Sequence, residues 1–213
     1  MKKTLFLASL FTLLIVSCSP IKITNRYAVP DISKSVDNKY LVIVRSQDVS
    51  VRSIYESQMA RDLKEKGIDA IALTSLYSIL DPNTKVTEAE VDTFVNELKN
   101  KGFTGILVTV LKNVDQKQKT YETGGGYSMM YPSYYYGFRS FYYHPWAYSD
   151  WGPTSYTTES YKVYQVQTNV YDLTRTPDKQ LIAVVSSEIT NPDNFISLAG
   201  DFSAKVVNTL ESK

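Results

Sequence analysis

Cys18 and His144 are the only cysteine and the only histidine in the chain. A single cysteine excludes a disulfide within the chain, and with one histidine it also excludes a zinc site built from these two residue types. His144 stands near Asp150 and several serines, but the sequence contains no Gly-x-Ser-x-Gly motif, and Pro145 favours a surface turn. The sequence therefore favours a non-enzymatic protein without a metal or another cofactor.

An aromatic segment at about residues 113–156 offers a different chemistry, that of recognition. Nine of the 17 tyrosines fall between Tyr121 and Tyr148, among glycines and serines, and both tryptophans, Trp146 and Trp151, lie in the segment. Tyrosine and tryptophan offer large amphipathic contact areas with few torsions to freeze. We predict that the segment binds another protein or stacks on the sugar rings of a glycan. The candidate contact residues are Tyr134, Tyr135, Tyr136, Tyr142, Tyr143, Trp146 and Trp151. The alternative is that the segment packs on its own domain, stays mobile or associates non-specifically.

The first 17 residues have the pattern of a signal peptide. Lys2 and Lys3 precede twelve uncharged residues, from Leu5 to Val16. That length suits a signal-peptide core, whereas a membrane-spanning helix needs about 20 residues. The segment therefore predicts export.

The end of this leader, Leu14-Ile-Val-Ser-Cys18, resembles the bacterial lipobox, whose cysteine is acylated and becomes the mature N-terminus. The resemblance implies that Cys18 carries the lipid that holds the protein to a bilayer. In such lipoproteins an Asp after the cysteine favours inner-membrane retention, and Ser19 stands there instead. We therefore expect the outer membrane, facing the periplasm. A plain secretory leader that ends near a cysteine is the alternative.

The composition of residues 18–39 predicts a tether between the lipidated cysteine and the domain. The segment is mixed and polar, contains Pro20 and Pro30, and has no sustained periodicity. A short edge strand within it is the alternative.

Three apolar runs predict the strands of an α/β half. They are Tyr40–Arg45, Ile68–Leu73 and Phe103–Leu111, and the last has no charge over nine residues. Runs that are apolar on both faces are typical of strands covered on both sides. We expect them to pair in parallel, joined by helices.

Two helices are predicted between these strands. The first has a Ser53–Glu56 capping box and ends at Gly67, and the second has a Thr87–Glu90 capping box and ends at Gly102. Their buried stripes are Val51, Tyr55, Met59 and Leu63 in the first helix, and Val91, Phe94, Val95 and Leu98 in the second.

The C-terminal part predicts two antiparallel strands and a helix. Tyr161–Tyr171 alternates, with Gln165, Gln167 and Asn169 on its wetter face, and Gln180–Ser186 follows after a turn. The final helix is predicted after Asn194, with the stripe Phe195, Leu198, Ala199, Phe202, Val206 and Leu210.

The order β-α-β-α-β-β-β-α over residues 40–211 resembles the anticodon-binding-like domain of the TolB amino-terminal region and of the curli-secretion lipoprotein. It also resembles a family of uncharacterised Gram-negative lipoproteins with a Tyr/Gly-rich loop, a strand like Val166–Asp172 and one like Lys179–Ile182. That family often has a Trp where Ala183 stands here. The resemblance implies an α/β fold, a single three-layer α/β/α domain with a mixed five-stranded sheet of order 2-1-3-4-5, strand 4 antiparallel, and no catalytic residues.

These features together predict a membrane-anchored envelope lipoprotein that acts as a non-catalytic binding or assembly module. Its expected partners are the lipid bilayer, through acylated Cys18, and an envelope protein or a cell-wall glycan. Nucleic acid is not expected, because removal of Lys2 and Lys3 leaves 21 basic and 22 acidic residues. A glycan-binding or glycan-processing protein is the alternative.

Overall fold

The computed structural model describes residues 19–30, 39–77, 87–118 and 160–211. In these ranges the chain forms a mixed sheet with helices on both faces. The strands are β1 (Ile21–Ala28), β2 (Lys39–Arg45), β3 (Asp69–Ala72), β4 (Gly105–Gln118), β5 (Ser160–Asp172) and β6 (Leu181–Thr190). The helices are α1 (Val49–Glu65), α2 (Leu73–Leu76), α3 (Glu88–Asn100) and α4 (Phe195–Glu211), and a 3-10 turn spans Pro177–Lys179.

The sheet has six strands in the order β1-β6-β5-β4-β2-β3. The pairs β2–β3 and β2–β4 are parallel, whereas β4–β5, β5–β6 and β6–β1 are antiparallel. The predicted mixed α/β fold is confirmed, but its sheet of five strands was wrong, because β1 pairs with the outer side of β6 and adds a sixth strand. β1 lies inside residues 18–39, so part of the predicted tether belongs to the sheet.

Two apolar cores lie on opposite faces of the sheet. On one face, α1 and α4 pack together, with the rings of Tyr55 and Phe202 5.5 Å apart, over strand residues such as Leu107 and Val185. On the other face, Val91 and Leu98 of α3 cover strand residues that include Leu41 and Ile106. The two helical layers account for the apolar character of the central strands on both sides.

The helix ends follow local sequence signals, with one correction. The predicted capping box of Thr87 and Glu90 is confirmed at the start of α3. α1 begins earlier than predicted, because the side chain of Asp48 accepts hydrogen bonds from the backbone of Ser50 and Val51. The predicted box of Ser53 and Glu56 is therefore wrong, and Glu56 has a different role, described below.

Gly67 and Gly102 end the two longer helices of the α/β half. Their φ angles are +82° and +79°, in the left-handed region that glycine adopts most readily. The predicted stripe of α1 is confirmed, since Val51, Tyr55, Met59 and Leu63 are all buried.

β4 and β5 are longer than predicted and form an antiparallel pair from Gly105–Asp172 to Gln118–Ser160. Residues 113–118, which were predicted to begin the aromatic insertion, are therefore strand. One face of β5, which carries Gln165, Gln167 and Asn169, was expected to be the wetter face. The structure instead buries two of these three side chains. Gln167 and Asn169 are 1% and 0% exposed.

Candidate functional site

The residues predicted to function by lipidation and binding all lie outside the described ranges. They are Cys18, Tyr134, Tyr135, Tyr136, Tyr142, Tyr143, Trp146 and Trp151. The structure does describe the three positions at which the chain leads into these segments. Ser19 follows Cys18 directly, and Gln118 and Ser160 bound the aromatic segment.

Ser19, Pro20 and Ile21 are fixed to the domain by several contacts. The Ser19 hydroxyl donates to the carboxylate of Asp201 in α4. The backbone N–H of Thr190 donates to the Pro20 carbonyl at 3.0 Å, and the Lys205 ammonium donates to the Ile21 carbonyl at 3.1 Å. Ile21 is only 2% exposed. The chain is therefore held in place from the residue after Cys18 onwards.

One row of paired residues crosses the antiparallel part of the sheet and shows at which end of the sheet Ser19, Pro20 and Ile21 lie. Ile21 of β1 pairs with Ile189 of β6, Ile189 pairs with Tyr164 of β5, and Tyr164 pairs with Val114 of β4. β1 enters the sheet at this row, whereas β4 and β5 continue past it to Gln118 and Ser160. The N-terminus of the described chain and the two ends of the aromatic segment therefore lie at the same end of the sheet.

The strand ends beyond this row form a projection that we call the β4–β5 arm, residues 116–118 paired with residues 160–162. The backbone N–H of Asn191 donates to the Lys162 carbonyl at 2.7 Å, which attaches the arm to the loop after β6. At the base of the arm, Asp115 accepts hydrogen bonds from the side-chain amides of Asn113 and Gln165, at 2.6 and 2.8 Å. Lys117 is exposed and Lys162 half-buried, and the arm contains no acidic residue.

Glu56, which was predicted to cap the start of α1, is a fully buried carboxylate on that helix. Its Oε1 accepts a hydrogen bond from the backbone of Val44 at 3.0 Å, and its Oε2 accepts one from Thr74 at 2.8 Å. Burial raises the pKa of Glu56, and the backbone donors and the nearby Arg52 offset only part of the rise. Glu56 thus ties the end of β2 to the start of α2. Glu56 stands one helical turn after Arg52 and beside the apolar stripe of α1, and this spacing was the signal in the sequence that Glu56 is buried.

Asp172 is the second buried carboxylate, and it lies at the other end of the parallel strands. Thr174 and Arg175 donate to it, at 2.9 Å from the Thr174 backbone and 3.0 Å from the Arg175 side chain. Burial alone would raise the pKa of Asp172, but these hydrogen bonds and the Arg175 charge lower it overall. Glu56 contacts the sheet at Val44, whereas Asp172 lies in the row of Tyr40 and Gly105. Four residues of strand, about 13 Å, separate the two rows.

Gln167, Asn169 and Tyr171 form a buried polar row on the α3 side of β5. The Gln167 amide donates to Asn169 at 2.6 Å, and the Asn169 amide lies 3.4 Å from the Tyr171 hydroxyl. The side-chain oxygen of Gln167 is buried without a hydrogen-bond partner. The alternating pattern of β5 correctly predicted that Gln167 and Asn169 share one face of the strand, but it predicted that this face meets solvent. Among the described residues, no group of three or more His, Cys, Asp and Glu side chains could hold a metal ion.

No protein-family model matches the chain, and the search of curated proteins found no match. Several solved structures are similar. A PelC dodecamer from Paraburkholderia phytofirmans is 12% identical over 91% of this chain and 98% of that chain, with a TM-score of 0.42. The lipoprotein GNA1162 from Neisseria meningitidis is 14% identical over 81% and 97%, with a TM-score of 0.41. A DUF4136 family protein from Bacteroides thetaiotaomicron is 11% identical over 92% and 100%, with a TM-score of 0.35.

None of these identities or TM-scores transfers a role to this chain. None of the three structures is a TolB or curli-secretion domain, so that resemblance stays a prediction. Across the described ranges, every helix is too short or too polar to span a membrane.

Proposed function

We propose that this protein is a lipid-anchored envelope lipoprotein of the outer membrane that faces the periplasm and acts as a non-catalytic binding or assembly module. The observation that carries the proposal is the position of the lipobox cysteine. Cys18 directly precedes Ser19, which is already held by Asp201. An acyl group on Cys18 would therefore hold the domain itself at the bilayer, with no long tether between them.

The aromatic segment supplies the proposed contact surface. It joins the ends of β4 and β5, which are paired along their whole length and give it a firm base. Its contact residues would be Tyr134, Tyr135, Tyr136, Tyr142, Tyr143, Trp146 and Trp151. Because both ends of the segment lie on the side of the anchor, the partner would be met close to the membrane. That position suits an envelope protein or a cell-wall glycan.

Within the described ranges, the roles of the two buried carboxylates support a non-catalytic function. Glu56 and Asp172 each accept hydrogen bonds that stabilise the fold, and they lie at different ends of the sheet. A general acid and a general base must instead converge on one substrate.

Two experiments test the proposal separately. Replacement Cys18→Ser should abolish the incorporation of a labelled fatty acid into the protein, and Ser17→Ala, which keeps a small residue before the cysteine, is the matched control. A parent without label, or a Cys18→Ser variant labelled as strongly as the parent, would overturn the anchor. A Trp146→Ala, Trp151→Ala double variant should then lose retention of envelope proteins or of peptidoglycan in pull-downs. Equal retention of every partner would overturn the aromatic contact, and turnover of a glycan would favour the enzymatic alternative.

A further inference from the structure

We propose that the β4–β5 arm is a second membrane contact, which rests on the headgroups of the bilayer that holds acylated Cys18. This inference deepens the proposed function and rests on its lipid anchor. It names a described surface, residues 116–118 and 160–162, and commits to one partner, an anionic lipid surface.

The first argument is one of reach. Cys18 is three residues before Ile21, so it can lie at most about 11 Å beyond the row of Ile21, Ile189, Tyr164 and Val114. β4 continues for four residues beyond the same row, from Val114 to Gln118, which spans about 14 Å. Arm and anchor extend in the same direction, because the hydrogen bond from Thr190 to Pro20 continues the β1–β6 pairing past Ile21. The end of the arm thus reaches as far towards the bilayer as the acylated residue itself.

The second argument is one of stiffness. The Ser19–Asp201 contact, the Pro20–Thr190 hydrogen bond and the Ile21–Lys205 hydrogen bond fix the chain on the side of the anchor. Asn191 fixes the arm through Lys162. With both attachments short, the domain cannot stand off the membrane, and the arm meets the headgroup layer.

The third argument is the chemistry of the arm. Lys117 and Lys162 give residues 116–118 and 160–162 a charge of +2, with no acidic side chain among them. At the base of the arm, the carboxylate of Asp115 is occupied by Asn113 and Gln165. Basic residues close to a membrane are attracted by anionic headgroups. Tyr161, paired with Lys117, adds an amphipathic ring of the kind that favours the membrane interface.

A depth measurement tests this orientation. Because Cys18 is the only cysteine and its sulfur would be acylated in the mature lipoprotein, a Gln116→Cys variant, at an exposed position of the arm, carries one free thiol for a fluorophore and keeps both lysines. Lys179→Cys is the matched control, an exposed lysine in the turn after Asp172, at the far end of β5. Both labelled lipoproteins are placed in vesicles of phosphatidylethanolamine and phosphatidylglycerol that contain a lipid with a nitroxide quencher on its headgroup.

We expect at least three-fold stronger quenching at position 116 than at position 179. Replacing phosphatidylglycerol with phosphatidylcholine should weaken the quenching at position 116, and equal quenching in both lipids would overturn the anionic preference. Flotation of the vesicles separates the two hypotheses. A protein that fails to float would overturn the lipid anchor and this inference together, whereas a floating protein with equal quenching at both positions would overturn this inference alone.

Discussion

Ile21 of β1, three residues after Cys18, lies directly opposite Ile189 of β6. Both side chains are buried, at 2% and 0% exposure, in the core under α1 and α4. The segment that follows the proposed lipidation site at Cys18 is therefore part of the hydrophobic core. In the proposed lipoprotein, this relationship makes the position of the anchor a property of the fold.

Ile21→Ala should lower the free energy of unfolding by about 2–4 kcal/mol, because it removes a buried side chain and leaves a cavity. Lys22→Ala, at the next and exposed position of β1, should change it by less than about 0.5 kcal/mol. Urea unfolding in the Cys18→Ser background measures both. Equal small effects would mean that β1 behaves as a free tether.

Thr109 and Thr168 form a buried cross-strand pair with their hydroxyl oxygens 2.9 Å apart. Thr109→Val or Thr168→Val alone should cost about 1–3 kcal/mol, because each leaves one buried hydroxyl without its partner. The double valine variant should be close to the parent in stability, because neither polar group remains. A double-mutant cycle measured by urea unfolding checks this, and additive single effects would contradict it.

Glu56 should make stability fall as the pH rises above the ordinary carboxyl range. Its pKa is raised in the folded protein, so between its unfolded value near 4.5 and the folded value the native state binds more protons than the unfolded state. The free energy of unfolding therefore decreases with pH across that interval. Glu56→Gln should remove this contribution, whereas Glu97→Gln, on an exposed position of α3, should keep it. Urea unfolding from pH 4 to 7 compares the three proteins, and parallel curves would contradict the assignment.

Glu56→Ala tests the structural role of the same carboxylate. It leaves the backbone N–H groups of Val44 and Thr74 without their acceptor, and each should cost about 1–3 kcal/mol. The loss should be present at every pH at which the protein folds. A loss below about 1 kcal/mol would show that water or another side chain replaces Glu56.

Gly105 faces Tyr40 across the parallel β2–β4 pair, and a Cβ atom at position 105 would overlap the tyrosine ring. Gly105→Ala should lower the free energy of unfolding by about 1–3 kcal/mol, because Tyr40 is buried and cannot move aside. Gly200→Ala is the matched control, since a Cβ atom at position 200 would lie 3.9 Å from the Gln58 side chain, which is ordinary contact, and alanine favours the helix. Thermal unfolding of both variants decides this, and equal losses would contradict the ring overlap.

Elements with strong local signals could be predicted from the sequence. Thr87 and Glu90 determine the start of α3 by themselves, and the apolar run around Val108 is long enough to require burial on both faces. β1 was expected only as the alternative to a tether, because its pairing with β6 shifts register between Ile23 and Asn25. The shift disrupts the two-residue alternation that identifies a strand.

The polar interior was equally hidden from local patterns. Gln167 and Asn169 alternate as an exposed face would, but they are buried together with Tyr171, and only the tertiary structure determines this. Glu56 matched the pattern of a capping box with Ser53, but Asp48 caps the start of α1 instead. The candidate membrane contact depends on the register of four strands, which no single segment encodes.

The pairing of β1 has a consequence for the order in which the protein is completed. Lys205 of α4 donates to Ile21 of β1 across 184 residues of chain. β1 is therefore synthesised long before α4, and it cannot complete its contacts until that helix has been made. Long-range closures of this kind are formed late and slowly. The leader predicted for the first 17 residues would then reach the export machinery while β1 is still unpaired, and maturation of the domain would follow translocation.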